Sequence, residues 1–182
     1  MDIEPLISMP LKYSDGYVYI PLELELSKET TFRDFTFYAK AEFHCSLICV
    51  KCMMAELMEK HGREGGPLKR QILGEIETAR QQSEPVFVGF RDELRYVAKD
   101  DNQSIIVMVD IGKLEPIFER LRTKYPIDIP SQPTHVTLYS AIPNKGIGIP
   151  SHQVLETTSE LIKGAELKQL IADIEFEKLR QL

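Results

Sequence analysis

The chain has 182 residues, 43% of them hydrophobic and 27% charged, with a net charge of −6. That balance predicts a soluble globular domain with a real core and excludes wholesale disorder; no apolar run reaches the ~18 residues of a membrane span. The acidic balance also argues against a long, non-specific nucleic-acid surface, because such surfaces gain affinity by neutralising phosphates with a basic face.

The opening MDIEPLISMPLKYSDG has acids and prolines but no early basic cluster, so no signal peptide is expected. Three cysteines do not make a disulfide framework, and a reducing cytoplasm is the expected location. GYVYIPLELELS alternates, with Val18, Ile20, Leu22, Leu24 and Leu26 at period two, and predicts a strand. Pro21 marks it as an edge. RDFTFYAKAEF brings Phe35, Phe37 and Ala39 to one side, and HCSLICV follows as an apolar strand.

KCMMAELMEKHG predicts a short helix ending near Gly62, and REGGP a turn. LKRQILGEIETARQQ carries Leu68, Ile72, Leu73, Ile76 and Ala79 at helical spacing. The basic residues Arg63, Lys69 and Arg70 read as a solvated loop and helix start. EPVFVGF, ELRYVAK and SIIVMVDI predict three consecutive strands, with turns at DELR and DDNQ. KLEPIFERLRTKY predicts an amphipathic helix that tolerates Pro116 in its first turn. PIDIPSQP is a rigid connection, THVTLYSAI a strand, and NKGIGIPS a glycine turn entering a further short strand. SHQVLETTSELIKG and AELKQLIADIEFEKLRQL are expected to be helical. Leu167, Leu170, Ile171 and Ile174 form one stripe on the last of these, for packing on the body or for a dimer contact.

A weak repeat runs through this plan. FHCSLI in the first half matches THVTLY in the second, half a chain away, which predicts two related lobes. Side chains at i and i+2 of a strand share a face. His44 and Ser46 therefore share one face of their strand, and His135 and Thr137 share one face of theirs. If the two strands flank a cleft, two imidazoles and two hydroxyls converge. Cleaving a phosphodiester asks for such a set. One histidine activates the nucleophile and the other protonates the leaving oxygen, since imidazoles hold both states near neutral pH. The hydroxyls bond the non-bridging phosphate oxygens. This chemistry needs no metal or other cofactor.

HCSL and HVTL resemble the paired H-x-[ST]-x signatures of the two-histidine phosphoesterase superfamily, which includes bacterial RNA 2′,5′-ligase-like proteins and cyclic phosphodiesterases. The resemblance implies an α+β fold: a single bilobal domain over residues 1–182, with two antiparallel sheets, outer helices and a cleft between pseudo-symmetric lobes. It implies His44 and His135 as the acid/base pair, Ser46 and Thr137 as phosphate-positioning hydroxyls, and no metal cofactor. The substrate it implies is a nucleotide or RNA end bearing a 2′,3′-cyclic phosphate or a 2′,5′-phosphodiester. No membrane partner is expected, and a monomer is favoured. Cys45 departs from the aliphatic residue usual at its position.

Two further residues are candidates for substrate binding. Tyr139 shares the His135 face on simple alternation, and Lys145 sits on the glycine turn; Tyr139 reads equally well as a strand tyrosine at a lobe edge. GIGI lacks a dinucleotide fingerprint. Two rival functions remain. C-x-x-x-C-x-x-C at Cys45, Cys49 and Cys52 is the spacing with which radical S-adenosylmethionine enzymes hold an iron–sulfur cluster. Its cysteines, however, fall on an apolar strand and a helix start, where a free cysteine behaves as a small hydrophobe. The other rival is a catalytically inactive module that binds nucleotide or RNA.

Overall fold

The computed structural model describes residues 10–62 and 65–174, with side chains described as far as residue 171. Arg63, the first nine residues and the predicted helical tail beyond residue 174 lie outside the described residues. The described chain is mixed α/β, with nine strands in one connected antiparallel sheet and five helices.

The first hairpin joins β1 (Lys12–Ser14) to β2 (Tyr17–Leu22) through Asp15 and Gly16, at φ 53° and 86°. Two successive residues with positive φ match the type I′ turn that suits the twist of paired strands. A second hairpin pairs β3 (Glu29–Phe32) with β4 (Phe35–Ala39). The alternating stretch thus ends as a strand at Leu22, and residues 23–27 form none. β2 lies inside the sheet, but its outer neighbour β1 reaches only Tyr19, so Pro21 has no ladder partner to deny on that side.

β5 (Phe43–Cys49) runs straight into α1 (Val50–His61), which ends at the left-handed Gly62. α2 (Gly65–Gln82) starts within the predicted REGGP turn, with Pro67 accommodated in its first turn. Next come β6 (Val86–Lys99), β7 (Asn102–Gly112), α3 (Glu115–Lys124) and β8 (His135–Ser140), then α4 (His152–Thr158), β9 (Ser159–Leu161) and α5 (Gly164–Ile174). The sheet order is β1-β2-β5-β8-β7-β6-β9, with the β3–β4 hairpin attached through β4 to β8.

Three expectations need correction. EPVFVGF and ELRYVAK are one strand, β6, because DELR does not turn the chain. Phe90 faces Val109 and Leu94 faces Val107, so Arg91, Asp92 and Glu93 bulge opposite Met108 alone. Arg91 reaches across to Asp110 at 2.8 Å. NKGIGIPS enters no strand and stays a loop. The helix predicted through ETTSEL stops at Thr158, where Ser159–Leu161 pairs with β6 instead.

The main core lies between the sheet and α1, α2, α3 and α5. Ile20, Cys45, Leu47, Leu57, Ile72, Val107, Leu121, Val136 and Leu138 belong to it, with Leu170 of α5. A second cluster covers the opposite face with Val97, Ile106, Met108, Ile147, Ile149 and Leu155. β7 is buried on both faces, which explains its unbroken apolar run. Arg33 closes the far end. Its guanidinium lies 5.0 and 5.1 Å from the rings of Phe32 and Tyr96, and it pairs with Glu166 at 2.7 Å and with Glu160.

Gly16 ties this scaffold to the site. Its carbonyl accepts a hydrogen bond from Lys51 N at 3.0 Å, and a Cβ added there would lie 2.7 Å from Lys51 Cβ. With the left-handed φ added, Gly16→Ala is expected to lower the unfolding free energy by about 1–3 kcal/mol, measured by urea denaturation.

Candidate active site

The two motif strands meet at a single antiparallel pair, Cys45 opposite Val136. These are the middle residues of H-C-S and H-V-T, and both are 0% exposed in the core. Facing residues of an antiparallel pair point to the same side, and their neighbours point to the other. Burying Cys45 and Val136 therefore directs His44, Ser46, His135 and Thr137 to the opposite face. All four line one pocket of about 290 Å³.

Each strand also carries a bulge just after its hydroxyl residue. Ser46 faces Tyr19 while Ile48 faces Val18, which leaves Leu47 extra. Thr137 faces Ile106 while Tyr139 faces Ile105, which leaves Leu138 extra. A bulge breaks simple alternation, so Leu138 and Tyr139 both enter the core, as Leu47 and Ile48 do. Tyr139, predicted on the His135 face, is fully buried and does not line the pocket.

β4 and β5 pair in turn with the same edge of β8. Ala39 faces Tyr139 and Cys45 faces Val136, so the stretch from Lys40 to His44 spans what two residues span on β8. That excess loops Lys40 and Glu42 into the pocket wall beside His44. The NKGIGIP loop closes the other side with Asn144, Gly146, Ile147, Gly148 and Ile149. It is pinned at several points. Ala41 N donates to Asn144 Oδ1 at 3.0 Å, Lys40 Nζ donates to the Asn144 carbonyl, and Asn102 Nδ2 donates to the Lys145 carbonyl at 3.0 Å. Lys145 contributes that carbonyl to the anchor; its exposed side chain is not among the pocket-lining groups. Gly148 passes so close to Tyr17 that a Cβ would lie 2.7 Å from the phenol oxygen.

His135 is 6% exposed, and its Nδ1 lies 3.0 Å from the Pro133 carbonyl. A carbonyl only accepts, so Nδ1 carries the hydrogen and Nε2 keeps its lone pair. Burial lowers the His135 pKa below the ordinary 6.5; the Pro133 contact opposes this and the charge of His44 adds to it. His44 stands at the surface of the pocket with its ring 5.0 Å from that of Tyr19. Its pKa is also lowered, first by desolvation and then by the Lys40 charge, against the pull of Glu42 and Asp15. Protonating His44 thus makes His135 harder to protonate.

Sequence reasoning missed Lys40, Lys51 and Gln132. Lys40 is half-buried, and burial lowers its pKa. Lys51 sits over the Tyr17 ring at 4.6 Å. Both residues line the pocket, and they bring positive charge to its wall. Gln132 is 5% exposed, and neither carboxamide atom has a partner among the described residues. An unpaired buried amide costs about 1–3 kcal/mol. None of these residues belongs to a motif; only the proline-flanked setting of Gln132 set it apart in the chain.

The cysteines differ from expectation. Cys49 and Cys52 form a disulfide joining the end of β5 to the first turn of α1, and only Cys45 is free. Burial pushes the Cys45 thiol up to about 12. The three thiols are therefore not assembled as free cluster ligands. Among the described residues no three His, Cys, Asp or Glu side chains converge in a metal-holding group.

A larger groove of about 680 Å³ runs from His44 and Glu42 past Tyr19, Pro21, Leu24 and Phe43. His135 does not border it. No helix among the described residues is long and apolar enough to cross a membrane.

The buried imidazole has a consequence for stability. His135 is held neutral when folded, so between its folded pKa and the ordinary 6.5 the unfolded chain binds more protons. Its contribution is present above pH 6.5 and is lost as pH falls through the folded pKa. Denaturation at pH 7.5 and 5 should show lower stability at pH 5, and His135→Gln should shrink that difference.

No family model, no curated protein and no solved structure matches the chain, so its function is argued from the chemistry of this pocket.

Proposed function

We propose that the protein is a two-histidine phosphoesterase. It hydrolyses a 2′,3′-cyclic phosphate or a 2′,5′-phosphodiester of a nucleotide or RNA end, without a metal ion. The observation that carries this reading is the pairing of the two H-x-[ST] motifs across the Cys45–Val136 bridge, with all four polar side chains lining one pocket. In the same reading, that bridge divides the chain into two pseudo-symmetric lobes of one bilobal domain.

His135 acts as the base. Its Nδ1–H is engaged by Pro133 and its Nε2 lone pair is available. His44 acts as the acid, because a leaving group needs room and the groove opens on its side. Nε2 of His135 takes a proton from water as the water oxygen bonds to phosphorus. The bond from phosphorus to the departing ribose oxygen breaks, and that oxygen takes the proton of His44. Ser46 and Thr137 hydroxyls donate to the non-bridging oxygens, and Lys40 and Lys51 balance their charge. Asp15 and Glu42 in the same wall, with the net charge of −6, favour a short end over an extended nucleic acid.

The test is hydrolysis of 2′,3′-cyclic nucleotides and of a short RNA with a cyclic end, in EDTA. His44→Ala and His135→Ala should each lower kcat by about 10²–10⁴-fold with the fold intact. Full activity in either variant, or none in the parent protein, would overturn the reading.

The pH profile gives a second check. Above both depressed pKa values the productive form, with His44 protonated and His135 neutral, falls about tenfold per pH unit. The maximum of kcat/KM should therefore lie below the ordinary imidazole value of 6.5. An anionic substrate raises both pKa values, so kcat should peak at higher pH than kcat/KM.

A further inference from the structure

Among the described residues, Gln132 is the one interior amide with both its donor and its acceptor unpaired. It lines the pocket that holds both histidines, Ser46 and Thr137. It is held there by position in the chain: Pro130 and Pro133 flank it, and the Pro133 carbonyl orients the His135 ring. Gln132 also lines two further cavities, one beside Cys49, Cys52 and Phe118 and one beside Arg91 and Thr134, and it does not border the groove that opens beside His44.

The unpaired atoms say what the amide is for. Nε2 needs an acceptor, and a phosphate oxygen is one. Oε1 needs a donor, and a phosphodiester offers none at phosphorus. The Ser46 and Thr137 hydroxyls are taken by phosphate oxygens in the reading above. A water molecule supplies two donors, one for Gln132 Oε1 and one for His135 Nε2.

We propose that Gln132 positions the nucleophilic water, so that the site is built for hydrolysis rather than for transfer to a sugar hydroxyl. This rests on the phosphoesterase reading. The water oxygen forms the new bond to phosphorus, and one of its protons passes to His135. The other stays on the new P–OH, still held by Gln132 Oε1. The departing ribose oxygen leaves with its bond pair and takes the proton of His44. Gln132 Nε2 donates to a non-bridging oxygen most strongly as charge builds there in the transition state, which fixes the line of attack.

The test uses Gln132→Met, which keeps the volume and removes both hydrogen-bonding atoms. With a 2′,3′-cyclic nucleotide, kcat should fall about 10²-fold while KM changes by less than about threefold, as for the loss of one oriented polar contact in the transition state. The thermal midpoint should stay level or rise, because an unpaired buried amide has been removed. A purely structural glutamine would lower the midpoint instead, and that result overturns the proposal. Full kcat in Gln132→Met, with both histidines required, overturns the role of Gln132 and leaves the phosphoesterase reading standing. If the histidine variants keep full activity, that reading falls and takes this one with it. A readout independent of turnover is the side-chain amide signal of Gln132 in a ¹H–¹⁵N spectrum. It should shift on titration with inorganic phosphate, and an unmoved signal at saturating phosphate counts against the contact.

Discussion

One backbone pair, Cys45 opposite Val136, decides which side chains line the pocket. Both side chains are sunk in the core, so the residues on either side of each must face away from it. A one-residue slip would bury His44 and Ser46 and expose Cys45, at the cost of stranding an imidazole and a hydroxyl in apolar surroundings. The hydrophobic pattern therefore fixes the register that builds the pocket. Because the strands share only this one pair, they diverge on both sides of it. The bulges at Leu47 and Leu138 then return the following residues to the core. The same device occurs twice, once in each half of the chain.

The surroundings make the two halves unequal. His135 is buried, with one ring nitrogen committed to Pro133, whereas His44 stands against Tyr19 at the mouth of the groove. Lys40, Glu42 and Asp15 act on His44 from the wall, while among the described residues the charge that bears on the His135 pKa is that of His44. Two nearly identical motifs are thereby given different electrostatic neighbours and different access to solvent. Acid/base pairs depend on such differences of environment.

Much of this was legible. Strand periodicity located both motif strands, and the spacing of histidine and hydroxyl put them on one face. Helices α1, α2 and α3 follow their apolar spacing and end signals closely. The losses have physical causes. Tyr139 was assigned to the wrong face because a bulge shifts a strand by one residue and leaves no mark in composition. DELR resembles a turn, yet it is a bulge whose Arg91 is held across the strand by Asp110. ETTSEL favours helix locally, but pairing with β6 offers more than another turn of α4. Lys40 and Gln132 reach the site through long-range packing, which no local pattern encodes. The Cys49–Cys52 bond joins a strand end to a helix start, and their spacing alone fits a metal site equally well.

The NKGIGIP loop has a consequence for dynamics. Its glycines suggest a floppy segment, yet Ile147 and Ile149 are packed into the second cluster with Ile106 and Met108 of β7. The other face of β7, through Ile105, Val107 and Val109, belongs to the main core. The loop therefore opens only by disturbing a strand that both cores share, and its amides should exchange with the sheet rather than with the surface. A wall held in that way is already ordered before any ligand arrives. Little of the free energy of binding has to be diverted to fixing it.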